Sequence, residues 1–387
     1  MHALELLYLP RQLSEGSEAV LTDRPRQYAQ EVHTMQANRR NCLGALAAAV
    51  AVSSPLAARS QPAPRRLRML LNTAYSSPQA WLLLARDNSY LAREGLEVEF
   101  TTGAGAYTAA PRMVDGNFDL AYGDVNSLIE VVARRPEAAP VGVFMMFNAS
   151  PSTVAVRADG PVRTPRDLEG RTVVGHSSDV ALHTFGAFCA STGIDPSRVR
   201  VQTSFGGMRS MVEHMLQSNE VHGVFGYVST IAGAMAPADA AARAQLRFLK
   251  YAEHVPDLYG SVLMASRRLL QQEPATVARV VRAFNRGLAD MLRDPQAGIA
   301  AVARQAPGID RVAEQLRWQT TLDIEMGHPD GRTRGIGDVD DARLGRAIAL
   351  IARTNALPRV PALHEVFTRD HLPVPGERVK IVGAARS

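Results

Sequence analysis

The chain has 387 residues, 46% hydrophobic and 21% charged, with a formal net charge of +5, the ordinary make-up of folded globular domains. The positive charge is nearly all arginine and is scattered, with no basic run, no aromatic–basic interleaving and no helix-turn-helix pattern, which argues against a nucleic-acid partner. Past the N-terminal region no apolar run is long enough to cross a bilayer.

The N-terminus reads as an export signal. Asn38-Arg39-Arg40-Asn41 is basic, Leu43 to Val52 is an apolar run too short to span a membrane, and Ala58-Arg59-Ser60 offers a small-x-small cleavage site. The arginine pair followed by Cys42 and Leu43 resembles a twin-arginine signal, and a general secretory signal also carries arginines. Periplasmic localisation by either route is expected. Residues 1–34 are polar and patternless and read as a non-structural extension before a true start at Met35. Residues 35–60 are the expected signal peptide, and the Pro-rich stretch 61–66 a linker. Of the 2 cysteines, Cys42 lies in the signal, so only Cys189 is left and no internal disulfide is expected. Cys189, between Phe188 and Ala190 on a helix, reads as packing rather than as a reactive thiol.

Two lobes are expected after the linker. Residues 67–152 form the N-terminal part of lobe 1, 153–257 lobe 2, and 258–387 the lobe 1 return with C-terminal helices. In lobe 1, strands at Leu67 to Leu71, Leu96 to Phe100, Phe118 to Tyr122 and Val141 to Phe147 alternate with helices. The first helix is capped by Ser76 or Ser77, carries Pro78 in its first turn and ends at Gly95. Val141 to Phe147 is apolar throughout, as in a parallel strand buried on both faces. Lobe 2 opens with a capped turn at Thr164 to Gly170. It continues with strands at Arg171 to Gly175, Val199 to Gln202 and Val221 to Tyr227, and helices at Val180 to Thr192 and Met208 to Gln217. Thr153 to Arg157 reads as the first crossing between lobes, and Leu246 to Tyr251 with Leu258 to Ala265 as the second. Two crossings favour hinge closure around a ligand. The C-terminal third is helical, with Val277, Val281, Phe284, Leu288 and Met291 on one stripe, and is expected to brace the first lobe from behind.

One pattern recurs: an apolar strand runs into a small polar loop that opens a helix. Such loops sit at the carboxyl ends of parallel strands, where open α/β sheets bind ligands, and they leave backbone N–H groups free. Candidate binding residues follow from loop position. Asn72, Tyr75 and Ser76 lie on the first loop, where Tyr75 can stack on a planar ligand and Asn72 either binds or shapes the turn. Gly103 and Gly105 allow close backbone approach, with Tyr107 just beyond. Asp124 and Asn126 are delivered to the cleft mouth, Asp124 serving either the ligand or the following helix as its cap. Ser177, Ser178 and Asp179 carry the same ambiguity in lobe 2. Tyr227 and Tyr259 are set to close over a solute. Trp81 stands between cleft and core. No catalytic residue, metal ligand or cofactor is indicated: the histidines are dispersed, and His-Glu-x-x-His, Cys-x-x-Cys and Gly-x-Ser-x-Gly are lacking.

Three segments carry a family resemblance: Tyr90-Leu91-Ala92-Arg93-Glu94-Gly95-Leu96-Glu97-Val98, Val114-Asp115-Gly116-Asn117-Phe118-Asp119-Leu120-Ala121-Tyr122-Gly123-Asp124, and Thr164 to Val174. In this order and spacing the chain resembles the SsuA/THI5-like (NMT1-like) solute-binding proteins of ABC importers, over roughly Leu67 to Ala306. Arg171 stands where that family usually has lysine, and Asn219-Glu220-Val221-His222-Gly223 replaces its usual Gly-x-Val-Asp-Ala step. The resemblance implies an α/β, two-lobed type II periplasmic-binding fold, each lobe a mainly parallel sheet flanked by helices. It also implies a monomer that passes a small-molecule solute to a membrane permease. Relatives are associated with thiamine pyrimidine precursors, sulfonates such as taurine, and nitrate. Tyr75, Tyr107, Tyr227 and Tyr259 with Asp124 and Asp179 favour a planar heterocycle of the thiamine-pyrimidine kind over a sulfonate or nitrate anion. A pyrimidine-synthesising enzyme related to THI5 is the alternative from another class, although this chain lacks the clustered cysteines of that catalyst.

Overall fold

The computed structural model describes residues 63–235 and 240–381. The export signal, its cleavage site and the start at Met35 lie outside the described residues. The strands are β1 (Arg65–Leu70), β2 (Leu96–Thr101), β3 (Leu120–Asp124), β4 (Val141–Met145), β5 (Ser152–Arg157), β6 (Thr172–Gly175), β7 (Arg200–Thr203), β8 (Gly223–Tyr227), β9 (Leu246–Lys250) and β10 (Ser261–Ala265). They form two five-stranded sheets, ordered β2-β1-β3-β10-β4 and β7-β6-β8-β5-β9.

The sheets share one design. In each, a single strand runs against the rest: β10 is antiparallel to β3 and β4, and β5 is antiparallel to β8 and β9. Each reversed strand is the first that the chain enters after changing lobe. The sheets are therefore mixed but mainly parallel, with helices between most successive strands. The crossings touch one another, Gly260 N–H donating to the Phe147 carbonyl at 3.0 Å. The segment Leu246 to Lys250, read from sequence as part of the return, is instead the β9 edge of the second sheet. Its partner β5 extends its pairing to both sides, so the return begins only after Lys250.

The helices that bear on the site are α1 (Ala80–Asp87), α2 (Val125–Arg134), α3 (Val180–His183), α4 (Phe185–Thr192), α5 (Met208–Gln217), α6 (Val228–Ala234), α7 (Pro274–Arg293), α8 (Pro295–Gln305), α9 (Arg311–Thr320) and α10 (Asp341–Thr354). The first helix is shorter than its sequence suggests. Ser89 adopts a left-handed φ of 61° and breaks it before Glu94. The segment 180–192 is likewise split at Thr184 into α3 and α4.

Trp81 belongs to the core, its ring 5.7 Å from Tyr122, 5.8 Å from Phe144 and 5.6 Å from Phe284. The apolar stripe of α7 covers this cluster, and Gly287 lets the α7 backbone approach the Trp81 carbonyl. Thus α7 and α8 do brace the first lobe. Cys189 is buried, and burial pushes its thiol up to about 12. Among the described residues no helix is long and apolar enough to cross a membrane.

Candidate functional site

The carboxyl ends of the two sheets face each other across a cavity of about 350 Å³. Both sheets deliver their strand-end loops to it, because in each the parallel strands point the same way. From the first lobe come Asn72, Tyr75, Ser76, Gln79, Gly105 and Phe147. From the second come His176, Ser178, Asp179, Met208, Tyr227, Ser229 and Thr230. A third contribution comes from the C-terminal region: Glu314 and Arg317 of α9, and Glu325 at the end of the π-helical turn Thr321–Glu325 that follows it.

Seven of the residues anticipated from sequence lie on the wall: Asn72, Tyr75, Ser76, Gly105, Ser178, Asp179 and Tyr227. Gly105 has φ 130°, and a Cβ there would strike the Ser178 side chain at 2.6 Å, so the lobes meet at this point. Asp179 caps α3, accepting from Ala181 N–H at 2.8 Å, and it also faces the cavity. Burial pushes its carboxyl up to about 6.

The other six lie off the wall. Gly103 is tight against the Leu71 carbonyl and serves the turn. Ser177 accepts from the His183 ring at 2.7 Å through its carbonyl. Tyr107 stacks flat on His183, ring centroids 3.6 Å apart, joining the two lobes. Tyr259 lies buried under the Arg343 guanidinium, 3.9 Å from its ring centroid. Asn126 donates from its side chain to the Tyr259 carbonyl at 3.1 Å and to Asp124 at 3.0 Å. Asp124 is fully buried and acts as the cap of α2, accepting from Asn126 N–H at 2.8 Å. It reaches the cavity only indirectly, through the Tyr227 hydroxyl, which donates to it at 3.3 Å. Burial pushes its carboxyl up to about 7.

Three of the wall residues that sequence reading missed share a cause. Glu314, Arg317 and Glu325 come from helices that sequence placed behind the first lobe, and no local signal sets them at a cleft. Glu314 is anchored by Ser77, whose backbone N–H donates to its carboxylate at 2.6 Å, and it pairs with Arg317 at 3.2 Å. Glu325 is fully buried and accepts from Ser229 N–H at 3.3 Å and the Thr321 hydroxyl at 2.9 Å. Burial pushes its carboxyl up to about 7. Ser229 stands two residues beyond Tyr227, in the first turn of α6, so its place was within reach of the strand-loop-helix pattern.

The wall therefore combines aromatic and apolar surface from Tyr75, Phe147, Tyr227, Met208 and Pro78 with a set of acceptors and a single arginine among the described residues. Such a surface can sandwich a flat ring and accept hydrogen bonds from its edge. Arg317 adds one point where a negative substituent can be met.

A family described as NMT1/THI5 like matches residues 78–298. No curated protein sequence matches the chain. Several solved structures share its fold. The periplasmic aliphatic sulphonate-binding protein SsuA from Escherichia coli superposes with a TM-score of 0.58 at 16% identity, covering 77% of this chain and 95% of that one. The alkanesulfonate-binding protein SsuA from Xanthomonas axonopodis pv. citri, bound to MOPS, gives 0.57 at 16% identity, covering 81% and 99%. A cysteine-to-serine mutant of DszB in complex with biphenyl-2-sulfinic acid gives 0.56 at 14%, covering 79% and 97%. At these identities the likeness is one of fold.

Proposed function

This chain belongs to the NMT1/THI5-like family, and on that footing we propose that it is the extracytoplasmic solute-binding component of an ABC importer. In this reading a small planar organic solute sits in the interlobe cavity and is handed to a membrane permease. The exported protein works in the periplasm as a monomer, after passage by a twin-arginine or general secretory signal. Binding without turnover is supported by the wall chemistry. It offers stacking and hydrogen-bonding groups, while Cys189, the one cysteine among the described residues, is buried in the core with its thiol pushed up to about 12.

The observation that carries the choice of solute is the excess of acceptor carboxyls beside aromatic surface. Asp179 and Glu325 face the cavity with no cation among the described residues hydrogen-bonded to either, and Tyr75, Phe147 and Tyr227 stand with them. Buried carboxyls of this kind are satisfied by ring or amino N–H groups of a neutral or basic heterocycle. A thiamine-pyrimidine-like compound meets that description. A second reading, a sulfonate, is favoured by Arg317 and by the sulfonates that the SsuA relatives of this fold bind. Against it stands the Asp179 carboxyl on the wall, and the Arg317 that would meet the anion is already paired with Glu314.

Titration calorimetry with an aminopyrimidine, an alkanesulfonate and nitrate separates the readings. The heterocycle is expected to bind and the anions to bind weakly or not at all. Tight sulfonate binding that Arg317→Gln abolishes would replace the first reading by the second.

A further inference from the structure

Two amide side chains on the first-lobe wall, Asn72 and Gln79, are held together in one orientation. Both are buried, Gln79 at 1% exposure. Asn72 follows β1, and its loop is pinned by the neighbouring one: Gly105 N–H donates to the Asn72 carbonyl at 2.8 Å and Gly103 N–H to the Thr73 carbonyl at 3.2 Å. Gln79 closes the short 3-10 turn Ser77–Gln79 that leads into α1, its backbone N–H donating to the Ser76 carbonyl at 3.0 Å.

The hydrogen bonds around the pair fix which end of each amide points where. The Thr73 hydroxyl donates its one hydrogen to the Ala74 carbonyl at 3.1 Å. Toward Gln79 it can therefore only accept, so the Gln79 atom 2.9 Å away must be the nitrogen Nε2. The same nitrogen donates its second hydrogen to Asn72 Oδ1. Nε2 is thereby fully used, and Oε1 of Gln79 is left buried with no donor among the described residues. Asn72, with its oxygen engaged, has its Nδ2 hydrogens to offer. The wall thus carries an acceptor and a donor on either side of one hydrogen bond.

A buried acceptor without a donor is a standing cost, and a solute removes it only by bringing an N–H or O–H. Sulfonate and nitrate anions bring neither. A ring edge with an N–H beside a lone pair meets both halves of the pair, the complementarity by which amide side chains read an adenine edge. Tyr75 and Phe147 on the same wall offer such a ring its stacking surface.

We propose that Asn72 and Gln79 set specificity at this site, selecting planar solutes whose edge carries an N–H donor beside an acceptor and rejecting the same ring without the N–H. The pair can act in this way only if the cavity is the solute site, as proposed above.

Titration calorimetry on the full chain with 4-aminopyrimidine and 4-methylpyrimidine tests it. The two rings have nearly the same shape and the same nitrogens, and only the first has an N–H. The parent is expected to bind the amino compound at least about tenfold more tightly, as a site does whose buried acceptor the analogue leaves unpaired. Gln79→Met keeps the length and removes the acceptor, and should bring the ratio close to one. Gln79→Glu keeps an acceptor at the same reach and should retain the preference. Each result is a ratio between two ligands on one sample, so a partly unfolded variant does not distort it. If Gln79→Met does not fold, Asn72→Ala is read in its place: the Gln79 amide is then free to turn, and the ratio must fall toward one. Equal binding of the two pyrimidines by the parent overturns selection by the pair and leaves the cavity standing as a site for flat solutes. So does a folded Gln79→Met that keeps the parent's ratio. A parent that binds neither pyrimidine overturns both the role of the pair and the heterocycle reading.

Discussion

At the residue scale the decisive groups are three carboxyls, Asp124 and Glu325 buried and Asp179 half-buried. Asp124, Asp179 and Glu325 are held above the ordinary carboxylate range, at about 7, 6 and 7, by burial. In the unfolded chain such groups ionise near pH 4. Between about pH 4 and 7 the folded protein therefore binds more protons than the unfolded one, so stability falls as pH rises through that window. The slope is at most about 1.4 kcal/mol per pH unit for each carboxyl, and it levels off above pH 7. Glu325→Gln should flatten this dependence, losing less stability than the parent between pH 5 and 8. Urea unfolding at several pH values measures it, and an unaltered slope would mean that Glu325 is already ionised when buried. For binding, Asp179→Asn should weaken an N–H-donating heterocycle by about 1.5–3 kcal/mol, the range of a hydrogen bond to a charged group, while Tyr75→Ala weakens it less. Calorimetry on the variants decides, and undiminished affinity in Asp179→Asn would remove that carboxyl from the site. Position on a strand-end loop was enough to nominate Asp179 and Tyr227. It did not tell a cap that also faces the cavity, Asp179, from one sealed behind a tyrosine, Asp124, since both have the same local sequence logic.

At the element scale, two helices carry testable backbone features. Gly287 brings α7 against α1 so closely that a Cβ would come within 2.2 Å of the Trp81 carbonyl oxygen. Backbone cannot yield as a flexible side chain does, so Gly287→Ala should destabilise the protein by at least about 1–3 kcal/mol. A melting temperature equal to the parent's would show that the helices separate freely. The end of α10 is the opposite case. Ala356 follows it with a left-handed φ of 47°, and Leu357 N–H donates back to the Ala352 carbonyl at 2.9 Å. An alanine in that conformation costs about 1–2 kcal/mol that glycine does not. Ala356→Gly should therefore stabilise the chain by up to about 1 kcal/mol, part of the gain being offset by the greater freedom of unfolded glycine. Denaturant titration reads it directly.

At the scale of the whole molecule, the two sheets make the cleft and the C-terminal helices complete it. A solute at 100 times its dissociation constant should add about 2.7 kcal/mol of apparent stability by mass action. Two crossings between the lobes favour hinge closure, so thermal melting should rise and the radius of gyration from X-ray scattering should fall together on binding. Stabilisation without compaction would rule out hinge closure.

The amino-acid sequence by itself determined the strand-loop-helix rhythm, the family, the two-lobed architecture and the strand-end loops that face the cleft. These follow from apolar periodicity, caps and turn residues, which act over a few neighbouring positions. It also marked the core stripe of α7, because a helix that must bury one face writes that face at a fixed spacing. Only the tertiary structure decided that Glu314, Arg317 and Glu325 join Asn72 and Asp179 on one wall, and that α10 touches both lobes. Those pairings bridge separations of more than a hundred residues. They depend on which helix faces settle against which sheets, a balance of many small packing energies that no local pattern encodes.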